Sequence, residues 1–193
     1  MTAAAARKLT IVLGVTGSIA AYKGADLASQ LTKRGHEVHC VLTPAAAKMV
    51  TPATFHPLTG NPVYTDLFDQ GAAASDYRVE HVGLADRADV FAIAPATANT
   101  IGKIAAGLAS DFLTTLLLAY PGPVVVAPAM NDNMWLHPAV RRNVALLREW
   151  GYRFVDPEAG DLACGRTGVG RLASPAKIVA AIEAAAAERK PPA

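Results

Sequence analysis

Two apolar runs in this chain stop in the same way, and that repetition constrains its fold more than any other feature. Val90-Phe91-Ala92-Ile93-Ala94 ends at Pro95, and Val124-Val125-Val126-Ala127 ends at Pro128. Each run then delivers an amide a few residues on, Asn99 after Thr97-Ala98 and Asn131 after Ala129-Met130. Short unbroken apolar runs rich in β-branched residues read as parallel strands buried on both faces. Proline closes them because it cannot donate to the ladder. Ligands of open α/β sheets sit outside the carboxyl ends of strands, so both polar turns are candidate site walls. The competing reading is two ordinary strand exits, since Pro and Asn are common turn formers.

The stretch ahead of these runs supplies a βαβ start. Leu9–Val15 reads as a strand, Ile19–Arg34 as a helix closed by Gly35 at C′, and Glu37–Leu42 as a second strand. The intervening turn, Gly14 to Ala21, is neither G-x-G-x-x-G nor a Walker A loop. It is still a small-residue loop feeding a helix, where backbone N–H groups and the Ser18 hydroxyl suit one phosphate; the alternative is a tight turn with Ser18 as N-cap. Thr43-Pro44-Ala45-Ala46 brings a second hydroxyl to the same sheet edge, which favours a mononucleotide phosphate. Ala45–Val50 reads as helical.

Residues 51–69 read as a short helix or irregular segment followed by a loop, and Gly71–Asp76 as a mobile loop tip. Glu80–Asp89 predicts a helical turn with His81 near its start; a lone histidine is more often structural than catalytic. A helix after Thr100 carries Ile101, Ile104, Ala105 and Leu108 at helical spacing, punctuated by Gly107 and Ser110-Asp111. Phe112–Ala119 continues as a buried helix. Pro138–Trp150 reads as amphipathic, with Val140, Val144, Leu147 and Trp150 as its apolar stripe, and Tyr152–Val155 as the last strand. Gly160–Arg171, with four glycines, reads as a flexible loop or flap. Cys164 within it is either a chance small residue or a reactive thiol on a lid, with Arg166 and Arg171 able to favour a thiolate or hold an anionic substrate. Ile178–Ala187 is a closing helix.

At 193 residues and 52% hydrophobic composition, the expectation is one domain over 9–187 with short tails at 1–8 and 188–193. No apolar run approaches the ~18 residues of a bilayer span, and no secretory signal is apparent, so a cytoplasmic protein is expected. Two cysteines and five histidines form neither a disulfide framework nor a metal pattern. A net charge of +2 with interspersed signs gives no basic stripe for nucleic acid.

Taken in order, the small-residue turn, a histidine, A-P-A-T-A-N-T, A-P-A-M-N-x-x-M-W and L-A-C-G-x-x-G-x-G-R resemble the flavin-containing cysteine decarboxylases over residues 9–183. The resemblance implies a single-domain, doubly wound parallel sheet, a flavodoxin-like or Rossmann-like three-layer sandwich that binds FMN and assembles as trimers or multiples of trimers. It places Gly17, Ser18 and Ile19 at the FMN phosphate with Thr43 to Ala46 beside it, and Pro95, Thr97, Ala98, Asn99, Thr100 and Ala129 along the ribityl chain and ring. His81 and Cys164 match catalytic positions, and Asn131, with Met130, Met134 and Arg171, the substrate side. The implied activity is decarboxylation of 4′-phosphopantothenoylcysteine to 4′-phosphopantetheine in coenzyme A biosynthesis. Two alternatives are a peptidyl-cysteine decarboxylase that stops at the enethiol and a non-catalytic regulatory flavoprotein; the intact Cys164 motif favours the first activity. The family's basic residue and Trp after the histidine are replaced by Asp86 and Arg87, which puts phosphate recognition through that segment in doubt.

Overall fold

The computed structural model describes residues 7–67, 80–163 and 165–188; within these, the side chains of Glu80 and His81 are outside the description. The strands are β1 (Thr10–Val15), β2 (Glu37–Leu42), β3 (Val63–Tyr64), β4 (Val90–Ala96), β5 (Val124–Pro128), β6 (Arg153–Phe154), β7 (Glu158–Asp161) and β8 (Thr167–Arg171). The helices are α1 (Tyr22–Lys33), α2 (Pro52–Thr59), α3 (Glu80–Arg87), α4 (Ala98–Ala105), α5 (Phe112–Ala119), α6 (Asp132–Leu136), α7 (Pro138–Glu149) and α8 (Pro175–Ala187). Strands β1 to β6 form one parallel sheet in the order β3-β2-β1-β4-β5-β6.

Alternation along each strand builds the two faces. Ile11, Leu13, Val15, Val38, Cys40, Leu42, Ala92 and Val125 face one core, closed by α1, α2 and α8. Val12, Val41, Phe91, Ile93, Val124 and Val126 face the other, closed by α3, α4, α5 and α7. Burial on both sides is why these strands read as continuous apolar runs. The order runs outward from β1 to β3 and then, from β4, outward the other way. The crevice between the carboxyl ends of β1 and β4 is therefore the switch point where such sheets bind ligands. The Ala94–Pro95 peptide beside it is cis.

Several elements differ from the sequence reading. Most of the expected loop at 160–171 is strand: β7 and β8 pair antiparallel as a hairpin. Two of the glycines there serve close packing, since a Cβ on Gly168 would stand 2.8 Å from the Asp132 Cβ and one on Gly170 would run into the Met130 carbonyl. The helix after Thr100 stops at Ala105, because Gly107 takes a left-handed φ of 66°. Leu108 is exposed, and Asp111 starts α5 afresh through a capping box with Thr114. Trp150 falls past the last turn of α7 and is exposed, outside the stripe of Val140, Val144 and Leu147. Ile19–Ala21 and Ala46–Lys48 are single 3₁₀ turns. The edge strand β3 and the short helix α6 were not anticipated. The expected loop tip at 71–76 lies outside the described residues.

Candidate active site

A cavity of about 740 Å³ opens at the switch point, within the range of cofactor and substrate sites. Its floor is three strand exits tied to one another. Thr16, fully buried after β1, donates from Oγ1 to the Pro95 carbonyl at 2.7 Å and accepts from the Thr97 N–H at 3.0 Å. Ser18 donates to the Ala129 carbonyl at 3.4 Å and accepts from the Ala20 N–H at 3.3 Å. The Ala129 N–H donates to the Ala96 carbonyl at 3.0 Å. The turns after β1, β4 and β5 are thus fixed by hydroxyl groups standing where the sheet has no further ladder to offer.

Two turns form one end of the cavity. A Cβ on Gly17 would lie 2.5 Å from the Ala45 Cβ, so glycine is what lets the turn after β1 close onto the turn after β2. Thr43 fixes the latter, accepting from the Ala46 N–H at 3.2 Å. Thr97 N-caps α4 by accepting from the Thr100 N–H at 3.3 Å. Ala98 and Asn99, the first helical residues, carry N–H groups that the helix itself cannot satisfy, and both line the cavity. That helix end, with its partial positive charge, favours an anionic or acceptor-rich ligand.

The other end is built on Met130–Met134. Asn131 caps α6, its Oδ1 accepting from the Asn133 N–H at 3.0 Å, which fixes the orientation of the amide. The hairpin crosses above: the Met130 N–H donates to the Gly170 carbonyl at 3.0 Å, and Asp161, Leu162, Ala163 and Arg171 reach the cavity wall. Arg171 lies 3.6 Å from Glu158, which also takes Lys177 at 2.8 Å.

The structure brings Gly17, Ser18, Ile19, Thr43, Thr97, Ala98, Asn99, Thr100, Ala129, Met130, Asn131, Met134 and Arg171 to this single cavity. Ala46 and Pro95 do not line it: Ala46 is buried behind Thr43, where Pro44 and Ala45 face the cavity, and Pro95 is buried in β4. His81 falls in the first turn of α3, with its side chain outside the description, and Cys164 lies outside the described residues. Asp86 and Arg87 are on the exposed end of α3, where Arg87 donates to the Gly83 carbonyl, away from the cavity lining.

Sequence reasoning missed Thr16 and the pair Lys103–Asp111. Lys103 Nζ sits 2.8 Å from Asp111 Oδ2 in the cavity wall, with the side chains 27% and 6% exposed. Burial works against the Asp111 charge, but hydrogen bonds from Lys103 and Thr114 outweigh it and hold the carboxyl below its ordinary range. The capping pattern Asp111-x-x-Thr114 was the available signal. Among the described residues no cluster of His, Cys, Asp and Glu is placed to hold a metal ion, and no helix is long and apolar enough to cross a membrane.

The residues fit a flavin mononucleotide. A glycine-dependent turn and the free N–H groups in the first turn of α4 offer donors for a phosphate and a polyol, and the small Ala129 and Ala98 leave room for a planar ring. Comparison with known proteins agrees in kind. Residues 2–187 match the flavoprotein family. The bifunctional coenzyme A biosynthesis protein CoaBC of Bacillus subtilis is 47% identical over 169 residues, 88% of this chain. The chain spans only 41% of that relative's length. A probable phosphopantothenoylcysteine decarboxylase of Streptococcus mutans is 42% identical over 175 residues, covering 90% of this chain and 96% of the relative. Among solved structures, a phosphopantothenoylcysteine (PPC) decarboxylase mutant complexed with pantothenoylaminoethenethiol superposes with a TM-score of 0.81 at 33% identity, over 92% of this chain and 98% of that one. The FMN-dependent cysteine decarboxylase SpaF gives 0.79 at 35% identity, over 95% and 99%.

Proposed function

The chain belongs to the flavoprotein family, and from that membership and its cavity we propose that it is an FMN-dependent decarboxylase of 4′-phosphopantothenoylcysteine, acting in coenzyme A biosynthesis. The observation that carries the reading is the joining, in one cavity at the β1/β4 switch point, of the Gly17–Ser18 turn and the N-terminus of α4 with the Asn131 amide beneath a hairpin. Gly17, Ser18 and Ile19, with the turn after Thr43, would hold the FMN phosphate, and Thr97–Thr100 with Ala129 the remainder of the cofactor. FMN, when bound, supplies the two-electron acceptor that lets the thiol-bearing carbon become the electron sink cysteine otherwise lacks.

The chain's own residues supply binding and proton handling. Asn131 presents a neutral amide to the carboxylate: it orients the group by hydrogen bonding without holding it as an ion pair, so CO₂ can leave. Met130 and Met134 keep that corner apolar, and the seated hairpin excludes water. His81 serves as the base toward the thiol-bearing carbon, and Cys164, which falls between β7 and β8 in the sequence, as the proton donor that completes the saturated product. Exposed apolar side chains at the cavity mouth, Ile19 at 67%, Tyr22 at 62% and Met134 at 48%, support assembly as trimers or multiples of trimers in which a neighbouring subunit covers the mouth. The cytoplasm, home of such biosynthesis, is the proposed location.

The purified protein, incubated with FMN and each substrate, is analysed by mass spectrometry. Loss of CO₂ from the small phosphorylated substrate with a saturated product is expected. A protein that takes up no flavin sinks the reading; turnover of a C-terminal cysteine peptide alone replaces it with the peptidyl-cysteine activity.

A further inference from the structure

Asp132 is the first residue of α6 and follows directly on Asn131, the amide assigned above to the substrate carboxylate. A second carboxylate so close would repel an anionic ligand, because like charges at short range disfavour one another. Its charge is met from the hairpin. Arg166 Nη2 lies 2.5 Å from Asp132 Oδ1, with the Asp132 side chain 20% and the Arg166 side chain 51% exposed. That hydrogen bond holds the Asp132 carboxyl below the usual carboxylate range, so it is charged throughout neutral pH. Of the other cations at the cavity wall, Arg171 pairs with Glu158 and Lys103 with Asp111, while Lys23 lines the wall near the turn after β1.

The approach of β8 to the Met130–Asp132 turn is what makes the pair. Gly168 lies against Asp132 and Gly170 against the Met130 carbonyl, at distances a side chain would not tolerate. Through the Met130 N–H to Gly170 carbonyl bond, β8 is stitched to the residue just before Asn131. The seated hairpin and the ion pair that neutralises Asp132 thus occur together in this structure.

We propose that Arg166 is a positioning residue that neutralises Asp132 as the hairpin seats, so that the Asn131 corner accepts an anionic carboxylate only beneath a seated hairpin. The ligand class is a carboxylate, and the inference rests on the reading of Asn131 given above. Arg166 stands outside the cavity lining. Its effect on the ligand passes through the charge of Asp132.

The test is a double-mutant cycle on the FMN-loaded protein. Arg166→Gln raises KM for phosphopantothenoylcysteine about fivefold at low salt, the span of an exposed ion pair, with kcat and FMN affinity little changed; added salt shrinks the difference. In an Asp132→Asn background the same Arg166→Gln change raises KM no further. An equal rise in both backgrounds overturns the proposal, because Arg166 would then be acting on the ligand directly. A second cycle needs no turnover: limited proteolysis of the hairpin. Each single substitution speeds cleavage, the double no more than either single, and the reversed pair Asp132→Arg with Arg166→Asp restores protection. Additive cleavage rates, or no protection in the reversed pair, refute the coupling. A wild-type protein that binds FMN but leaves the substrate untouched counts against the functional reading instead, and the proteolysis cycle then judges the ion pair.

Discussion

Replacing Thr16 by valine removes a hydroxyl and changes almost nothing else in shape. The side chain is fully buried, so no water can stand in for it. Its Oγ1 makes two bonds across the switch point, donating to the Pro95 carbonyl at 2.7 Å and accepting from the Thr97 N–H at 3.0 Å. The carbonyl keeps a partner in the Thr16 N–H at 3.3 Å. The Thr97 N–H loses its hydroxyl acceptor, in the turn that caps α4. Loss of one buried bond costs about 1 kcal/mol and an orphaned, half-buried donor about 1–2 more, so Thr16→Val should cost about 2–3 kcal/mol. In a chain of this size that is a fall in Tm of roughly 5–10 °C. Urea unfolding of the flavin-free protein gives the number, read as a shift of midpoint at constant m-value. FMN affinity, read by quenching of flavin fluorescence, should fall with it, because Thr97 is the N-cap whose helix end faces the cavity. Thr16→Ser keeps the hydroxyl and should stay within about 1 kcal/mol of wild type. A valine variant as stable as wild type, or a serine variant as unstable as valine, would refute the claim that the hydroxyl ties the two exits together.

Three further outcomes follow from named contacts. Gly17→Ala should lose FMN affinity at least tenfold, on the order of 1.4 kcal/mol, since its Cβ would stand 2.5 Å from that of Ala45; Ala45→Gly added to it should recover part of the loss in the same titration. Lys103→Met leaves the shielded Asp111 carboxylate without its cation and should cost about 2–3 kcal/mol, less than a fully buried pair because Lys103 is partly exposed. Because the folded-state pKa of Asp111 is lowered, its ionised form stabilises the fold above the unfolded value of roughly 3.9, and that contribution is lost as pH falls through the folded pKa; the stability gap between wild type and Asp111→Asn, measured by urea at pH 7 and pH 3, should therefore close at the acid end. Burial pushes the Cys40 thiol up to about 12, so in a Cys164→Ser background a thiol-reactive dye should label the protein only after unfolding.

What could be read in advance divides along physical lines. β1, β2, β4 and β5 declare themselves because two-sided burial makes each a local apolar run, and the boundary of β2 at Glu37–Leu42 comes straight from it. β3 does not: Val63-Tyr64 is a strand only because Cys40 and Val41 pair with it. The hairpin was hidden by its own glycines. In a sequence they signal flexibility, whereas here Gly170 marks where the Met130 backbone passes close and Gly168 where the Asp132 side chain does. The phosphate-end turns and the Asn131 turn were legible because strand exits carry polar residues in recognisable order. Lys103–Asp111 was not, since the two stand eight apart across the break at Gly107 and meet only once α5 folds back against α4.

The cross-tied floor has a consequence for the thermodynamics of filling the cavity. Thr16, Ser18 and Ala129 hold the exits of β1, β4 and β5 through bonds made within the protein, none of which a ligand has to supply. Preorganisation of this kind spares a cofactor the cost of ordering the loops that receive it. Amide hydrogen exchange should show it as protection at Thr97 and Ala129 that is the same in the flavin-free and flavin-bound protein, with flavin-dependent protection at the donors that face the cavity, in the Gly17–Ser18 turn and at Ala98 and Asn99.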